Sequence, residues 1–151
     1  MKLRRMTPQD VALVQALQVA PEQLVYVDAI ADTLAAPAPG RDDFVMEVDG
    51  EIIGFFQIDA SSGERITEDA LCLHEVQIDA RHQGRGFGRA FMEALPGAMT
   101  AAYPHADGIS LTVNCKNLHA YKLYELGGFV DTGELYVGGR SGPQHIMRRK
   151  L

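Results

Sequence analysis

Val76-Gln77-Ile78-Asp79-Ala80-Arg81-His82-Gln83-Gly84-Arg85-Gly86-Phe87-Gly88-Arg89 is a strand, a short turn, and then a run of glycines that opens a helix. A helix start of this kind offers unpaired backbone N–H groups and the positive end of the helix dipole, which together make an anion site. Glycines let a pyrophosphate come close to the backbone, and Arg85 or Arg89 can add charge. Two better-known phosphate loops fail on spacing. A dinucleotide fingerprint would place its third glycine where Arg89 stands, and the Gly-Lys-Ser/Thr of a P-loop is absent.

Upstream, Leu71 to Asp79 reads as the strand leading into this turn, after a polar loop that begins at Ser61-Ser62-Gly63-Glu64 and runs to about Asp69. Phe44 to Val48 and Ile52 to Ile58 flank Asp49-Gly50, a two-residue hairpin signal. Leu3 to Met6 is a further short strand. Thr7-Pro8-Gln9-Asp10 starts a helix, with Thr7 as N-cap, Pro8 at the first helical position, and Val11, Val14 and Leu17 on its apolar side. A second helix is expected from Pro21, with Val27, Ile30, Ala31 and Leu34 on one face, ending in Ala35-Ala36-Pro37-Ala38-Pro39-Gly40.

Downstream, the helix from Gly86 runs towards Ala98 and is expected to break or kink near Pro96. Ile109 to Val113 is a short buried strand, and Asn117 to Leu126 a helix closed by Gly127-Gly128. Phe129 to Val137 and His145 to Lys150 form a last strand pair around a glycine-rich loop. The order is β-αα-βββ-α-β-α-ββ, an α/β (α+β) fold with a mixed sheet and helices packed on it, in one domain spanning residues 1–151.

Composition sets limits on function. The chain of 151 residues is 46% hydrophobic and 23% charged, values of an ordinary globular protein. No stretch approaches the ~18 consecutive apolar residues of a membrane span, and no signal-peptide pattern follows Met1. A net charge of −6 argues against nucleic acid as a partner and is compatible with a cationic acceptor. Cys72 and Cys115 are far apart in sequence and read as reduced core residues, consistent with a cytoplasmic location. His82, His105, His119 and His145 are scattered without metal-ligand spacing, so no metal is expected. Ser61, Ser62, Ser110 and Ser141 sit in no nucleophile elbow.

Gln83-Gly84-Arg85-Gly86-Phe87-Gly88 resembles the Q/R-x-x-G-x-G/A signature of the GNAT N-acetyltransferase superfamily, which wraps the pyrophosphate of acetyl-coenzyme A. Asn117-Leu118-His119-Ala120-Tyr121-Lys122-Leu123-Tyr124-Glu125-Leu126-Gly127-Gly128-Phe129 resembles that superfamily's second motif, N-x-x-A-x-x-L-Y-E-K-x-G-F, with Leu126 where lysine is common. The element order is similar from end to end, so the resemblance spans nearly the whole chain. It implies an acetyl-coenzyme A-dependent N-acetyltransferase acting on a primary amine of a small molecule or peptide, with a homodimer as one allowed assembly. Asp131 to Leu135 and Pro143 to Arg148 resemble bacterial members of the superfamily, some of them close to polyamine acetyltransferases. The other functions considered are a non-catalytic coenzyme A-binding regulatory module and transfer of a longer acyl group.

The resemblance also implies residue roles. Val76, Gln77 and Ile78 would bind the pantetheine arm through their backbone, and an N–H of this segment would stabilise the developing oxyanion. Gln83, Gly84, Arg85, Gly86, Phe87, Gly88 and Arg89 would hold the pyrophosphate, and Asn117 the pantetheine side. Tyr124 would protonate the departing thiolate, although its helix-face neighbours Ala120 and Leu123 also fit a packing role. His74 and Glu75 are the candidate bases, with water the alternative. Strand periodicity puts them on opposite faces, and a bulge near them would alter that.

Overall fold

The computed structural model describes residues 1–61 and 70–151. The expected polar loop from Ser61 to Asp69 therefore lies, from position 62 onward, outside the described residues. Seven strands form one sheet in the order β1-β2-β3-β4-β5-β7-β6. They are β1 (Lys2–Arg5), β2 (Arg41–Val48), β3 (Glu51–Asp59), β4 (Ala70–Ile78), β5 (Gly108–Asn114), β6 (Val130–Tyr136) and β7 (Gln144–Lys150). Every neighbouring pair is antiparallel except β4 and β5, which run parallel. The β2–β3 turn has φ of 51° at Asp49 and 82° at Gly50, the left-handed pair a two-residue hairpin turn needs.

Helices cover both faces. α3 (Phe87–Ala102) and α4 (Leu118–Leu126) pack on one, where Phe44, Phe56, Leu73, Phe91, Leu95 and Tyr124 join the larger core. α1 (Val11–Gln15) and α2 (Ile30–Ala35) cover the other over Val14, Ile30, Val45 and Phe55. Pro8 to Asp10 forms a 3₁₀ turn before α1 with Thr7 as its N-cap, and Asp10 Oδ2 accepts from both the N–H and the hydroxyl of Thr7 at 2.8 Å. Asp10 also receives a forked pair of hydrogen bonds from Arg4, at 2.7 and 3.0 Å.

Three expectations are corrected. The helix expected from Pro21 is one 3₁₀ turn, Pro21–Gln23, and α2 begins only at Ile30 after the extended Ala29. The backbone of Asp28 is engaged by β4 instead of by a helical ladder: its N–H donates to Glu75 Oε2 and its carbonyl accepts from Gln77 Nε2, both at 3.0 Å. α3 does not stop at Pro96 but runs on to Ala102. Pro96 has no N–H for the Met92 carbonyl four residues back, and Arg149 Nη1 donates to that oxygen at 3.4 Å. Cys72 is buried as expected, whereas Cys115 is only partly buried beyond the end of β5.

Candidate active site

The site is built where the sheet parts. Among the described residues, β4 and β5 pair through Ala70–Gly108, Leu71–Ile109 and Cys72–Ser110. Beyond Cys72 the strands diverge, so the backbone of β4 from Leu73 onward has no ladder to β5. This is the segment Val76, Gln77, Ile78 singled out in the sequence. Its unladdered edge offers N–H and C=O groups in the geometry that accepts an added strand.

β4 carries a bulge at the same level. Phe55 pairs with Gln77 and Gln57 with His74, so one residue of β3 is spanned by two of β4. Glu75 takes the extra place with φ of 51°, a left-handed conformation costing a non-glycine residue about 1–2 kcal/mol. The bulge inverts the alternation of side chains. Leu71 and Leu73 before it, and Val76 and Ile78 after it, all pack on the α3–α4 core. His74, opposite Gln57, and Gln77, opposite Phe55, face the α1–α2 side. Glu75 Oε2 meets Asp28 N and Gln77 Nε2 there. Adjacent residues expected on opposite faces thus share one, since the bulge cancels the strand period. Burial raises the Glu75 carboxyl, opposed in part by the Asp28 N–H and reinforced by the charge of Asp28.

The opposite face holds Tyr124. It is buried in the α3–α4 core with its ring edge to Phe129 at 5.9 Å, and burial pushes its phenol up to about 12. The described residues give its hydroxyl no hydrogen-bond partner. Asn117 caps α4, its Oδ1 accepting from Ala120 N at 3.3 Å, so its side-chain oxygen already serves the helix.

The glycine turn sits at the end of β4. Gly84 and Gly86 have φ of 72° and 83°, and a Cβ on either would meet nothing within 4 Å, so the loop faces open space. Gly86 is the N-cap of α3, leaving the first N–H groups of a 16-residue helix directed outward. Gly88 differs, because a Cβ there would come within 3.1 Å of Leu123 Cδ2; it sets the approach of α3 to α4. Gln83 Nε2 donates to the Ile78 carbonyl at 3.0 Å and to Gln23 Oε1 at 3.1 Å, tying the turn to β4. Arg85 lies over the Phe87 ring at 5.3 Å, and Arg89 pairs with Glu93 on the surface. The open turn and the unladdered edge both fit a long phosphorylated ligand with an extended arm. Among the described residues no group of side chains could hold a metal ion, and no helix is long and apolar enough to cross a membrane.

Sequence reading missed the groups that come from elsewhere in the chain. Asp28 reaches Glu75 across 47 positions, and Arg140 pairs with Asp28 at 2.7 Å. Ser141 Oγ donates to the Val25 carbonyl at 2.6 Å and Asn114 Nδ2 to the Ser141 carbonyl at 2.8 Å, so the β6–β7 loop straps the end of β5 to the 24–28 segment. No local motif signals such contacts.

The family model for the acetyltransferase (GNAT) domain matches residues 40–131, from the first residues before β2 into β6. The chain belongs to the GNAT acetyltransferase family. It is thereby an acetyl-coenzyme A-dependent N-acetyltransferase in class, as the motifs implied. The uncharacterized N-acetyltransferase YbbJ of Bacillus subtilis (strain 168) is 33% identical over 66% of this chain and 64% of its own length. The spermine/spermidine N(1)-acetyltransferase of the same strain is 26% identical over 99% of this chain and 97% of its own. Among solved structures, an aminoglycoside acetyltransferase in complex with coenzyme A has the same fold, with a TM-score of 0.76 and 22% identity over 99% of this chain and 94% of that one. Spermidine N-acetyltransferase from Vibrio cholerae, in complex with coenzyme A and spermine, gives 0.70 and 21% over 99% and 94%. For this GNAT protein, the site at the parting of β4 and β5 is the candidate place for an acyl-coenzyme A.

Proposed function

We propose that this protein transfers the acetyl group of acetyl-coenzyme A to a primary amine of a polyamine-like small molecule, with residues 1–151 acting as one catalytic domain. The observation that carries the reading is the bulge at Glu75, which sets a half-buried carboxylate on the α1–α2 side of the parted strands while Tyr124 lies on the α3–α4 side. Two reactants can then meet in the gap from opposite faces. The polycationic character of the acceptor is supported by the net charge of −6 and by the full-length likeness to the spermine/spermidine N(1)-acetyltransferase.

Acetyl-coenzyme A supplies the thioester whose carbonyl carbon the amine attacks. Gly84 to Arg89 bind its pyrophosphate at the N-terminus of α3, and the backbone of Val76 to Ile78 binds its pantetheine arm as an added strand, with Asn117 alongside. An N–H of that strand stabilises the developing oxyanion. A lysine-like ammonium of pKa ~10.4 costs ~4.6 kcal/mol to deprotonate at pH 7, so a base is valuable. Glu75, raised by burial, takes that proton directly or through water, with His74 beside it. Tyr124 gives its phenolic proton to the departing thiolate. From a phenol near 12 to a thiolate near ~8.5 this transfer is uphill by about 5 kcal/mol, and the same apolar surroundings narrow the gap by raising the thiol as well.

Thiol release from acetyl-coenzyme A with spermidine, an aminoglycoside, free amino acids and a lysine peptide tests the reading. Spermidine should give the highest kcat/KM, about tenfold or more above neutral amino acids, with a monoacetylated product by mass. Coenzyme binding without thiol release for any amine would overturn it in favour of a binding module. Turnover only with longer acyl thioesters would overturn the acetyl assignment.

A further inference from the structure

Two side-chain oxygens on the Glu75 face stand out. Gln57 is 5% exposed and Gln77 2%, and the β3–β4 register puts both on the α1–α2 side. Gln57 Nε2 donates to Asp43 Oδ1 at 2.8 Å. Gln77 Nε2 donates to the Asp28 carbonyl at 3.0 Å and towards Glu75 Oε2 at 3.4 Å. Carbonyls and ionised carboxylates only accept, so these contacts fix which end of each amide is nitrogen and turn each Oε1 the other way. Both Oε1 atoms are buried, and no described residue donates to either. A buried carbonyl oxygen without a donor is costly, and two on one face of the β3–β4 pair call for a physical reason. Their chemical complement is a group that only donates, and an ammonium is such a group, with three N–H donors.

Resting on the reading of this face as the amine side, we propose that the side-chain carbonyls of Gln57 and Gln77 accept the N–H groups of the incoming amine and act as specificity determinants. With Glu75 they supply three acceptors for the three donors of a primary ammonium. Asp43 and Asp28 orient the two amides from β2 and from the segment before α2. A hydroxyl acceptor has one donor and would leave at least one of the buried oxygens unmet, so the site selects amines over alcohols.

The test uses the full chain with spermidine as the probe. Gln57→Met and Gln77→Met keep side-chain length and remove the oxygen. Each should raise the KM for spermidine or lower kcat/KM about tenfold or more, with acetyl-coenzyme A affinity unchanged. Either variant could lose its fold by orphaning Asp43 or Asp28, so wild type provides the second measurement. The side-chain NH₂ resonances of Gln57 and Gln77 should shift on titration with spermidine, at a midpoint equal to its Kd. Spermidine turnover with both resonances unmoved, or with acceptor kinetics of both folded variants within about twofold of wild type, would overturn the glutamine assignment and leave the amine site standing. Neither binding nor turnover of spermidine, in a protein that acetylates another class of amine, would overturn the polyamine reading. Glutamine shifts with that amine would still support the assignment, and their absence would end it.

Discussion

The backbone N–H of Asp28 donates to Glu75 Oε2 at 3.0 Å, joining the segment that precedes α2 to the bulge of β4. This contact ends the helix expected from Pro21, helps hold Glu75 in its left-handed conformation, and fixes the carboxylate on the α1–α2 face. Arg140 anchors the other side of Asp28 through its carboxylate.

Burial raises the Glu75 carboxyl, and this has a signed consequence for stability. A group whose pKa is higher in the folded than in the unfolded chain favours folding below its unfolded value and loses that contribution as pH rises through the folded value. Glu75→Gln should therefore have a higher Tm than wild type at pH 7, and the difference should shrink as pH falls through the raised Glu75 value and be gone below the ordinary glutamate range. The same variant should lose turnover most between the raised Glu75 pKa and the pKa of the acceptor ammonium, near ~10.4 for an alkylamine, because the amine needs no base above that. His74→Ala, measured in parallel, should keep the wild-type profile. Parallel profiles for both variants and wild type would favour water alone as the base.

Gly86 separates strain from charge. Its φ of 83° makes any side chain costly, and a Cβ there would meet nothing within 4 Å. Gly86→Ala should lose roughly 1–2 kcal/mol of stability and retain most coenzyme affinity. Gly86→Asp, whose side chain tolerates the left-handed region better than alanine, should lose no more stability yet weaken acetyl-coenzyme A binding at least about tenfold, because it sets a carboxylate at the N-terminus of α3. Calorimetry on folded variants reads both, and equal affinities would place the pyrophosphate elsewhere.

What could be read from the sequence was local. The Asp49-Gly50 turn, the Gly84–Gly88 stretch and the helix expected from Asn117 to Leu126 each depend on a few neighbouring residues, and each forms where the residues say it should. The rest depended on distant partners. Pro96 stays inside α3 because Arg149 of β7 serves the Met92 carbonyl, and the Pro21 helix fails because β4 engages the backbone of Asp28. The facing of His74 and Glu75 hinged on one inserted residue, which strand periodicity cannot locate. Gln57 looked like any strand residue until its amide met Asp43 on the neighbouring strand.

Tyr124 is where chemistry and packing compete most directly, for it belongs to the core between α3, α4 and the sheet and carries a phenol raised to about 12. Tyr124→Phe keeps the ring and its edge contact with Phe129 and removes only the hydroxyl. General acid catalysis is typically worth about 10²–10⁴-fold, so the turnover number at saturating acetyl-coenzyme A should fall by that order while coenzyme affinity and Tm stay near wild type. A turnover number within about twofold of wild type would contradict the account, and the thiolate would then take its proton from water or from the acceptor ammonium.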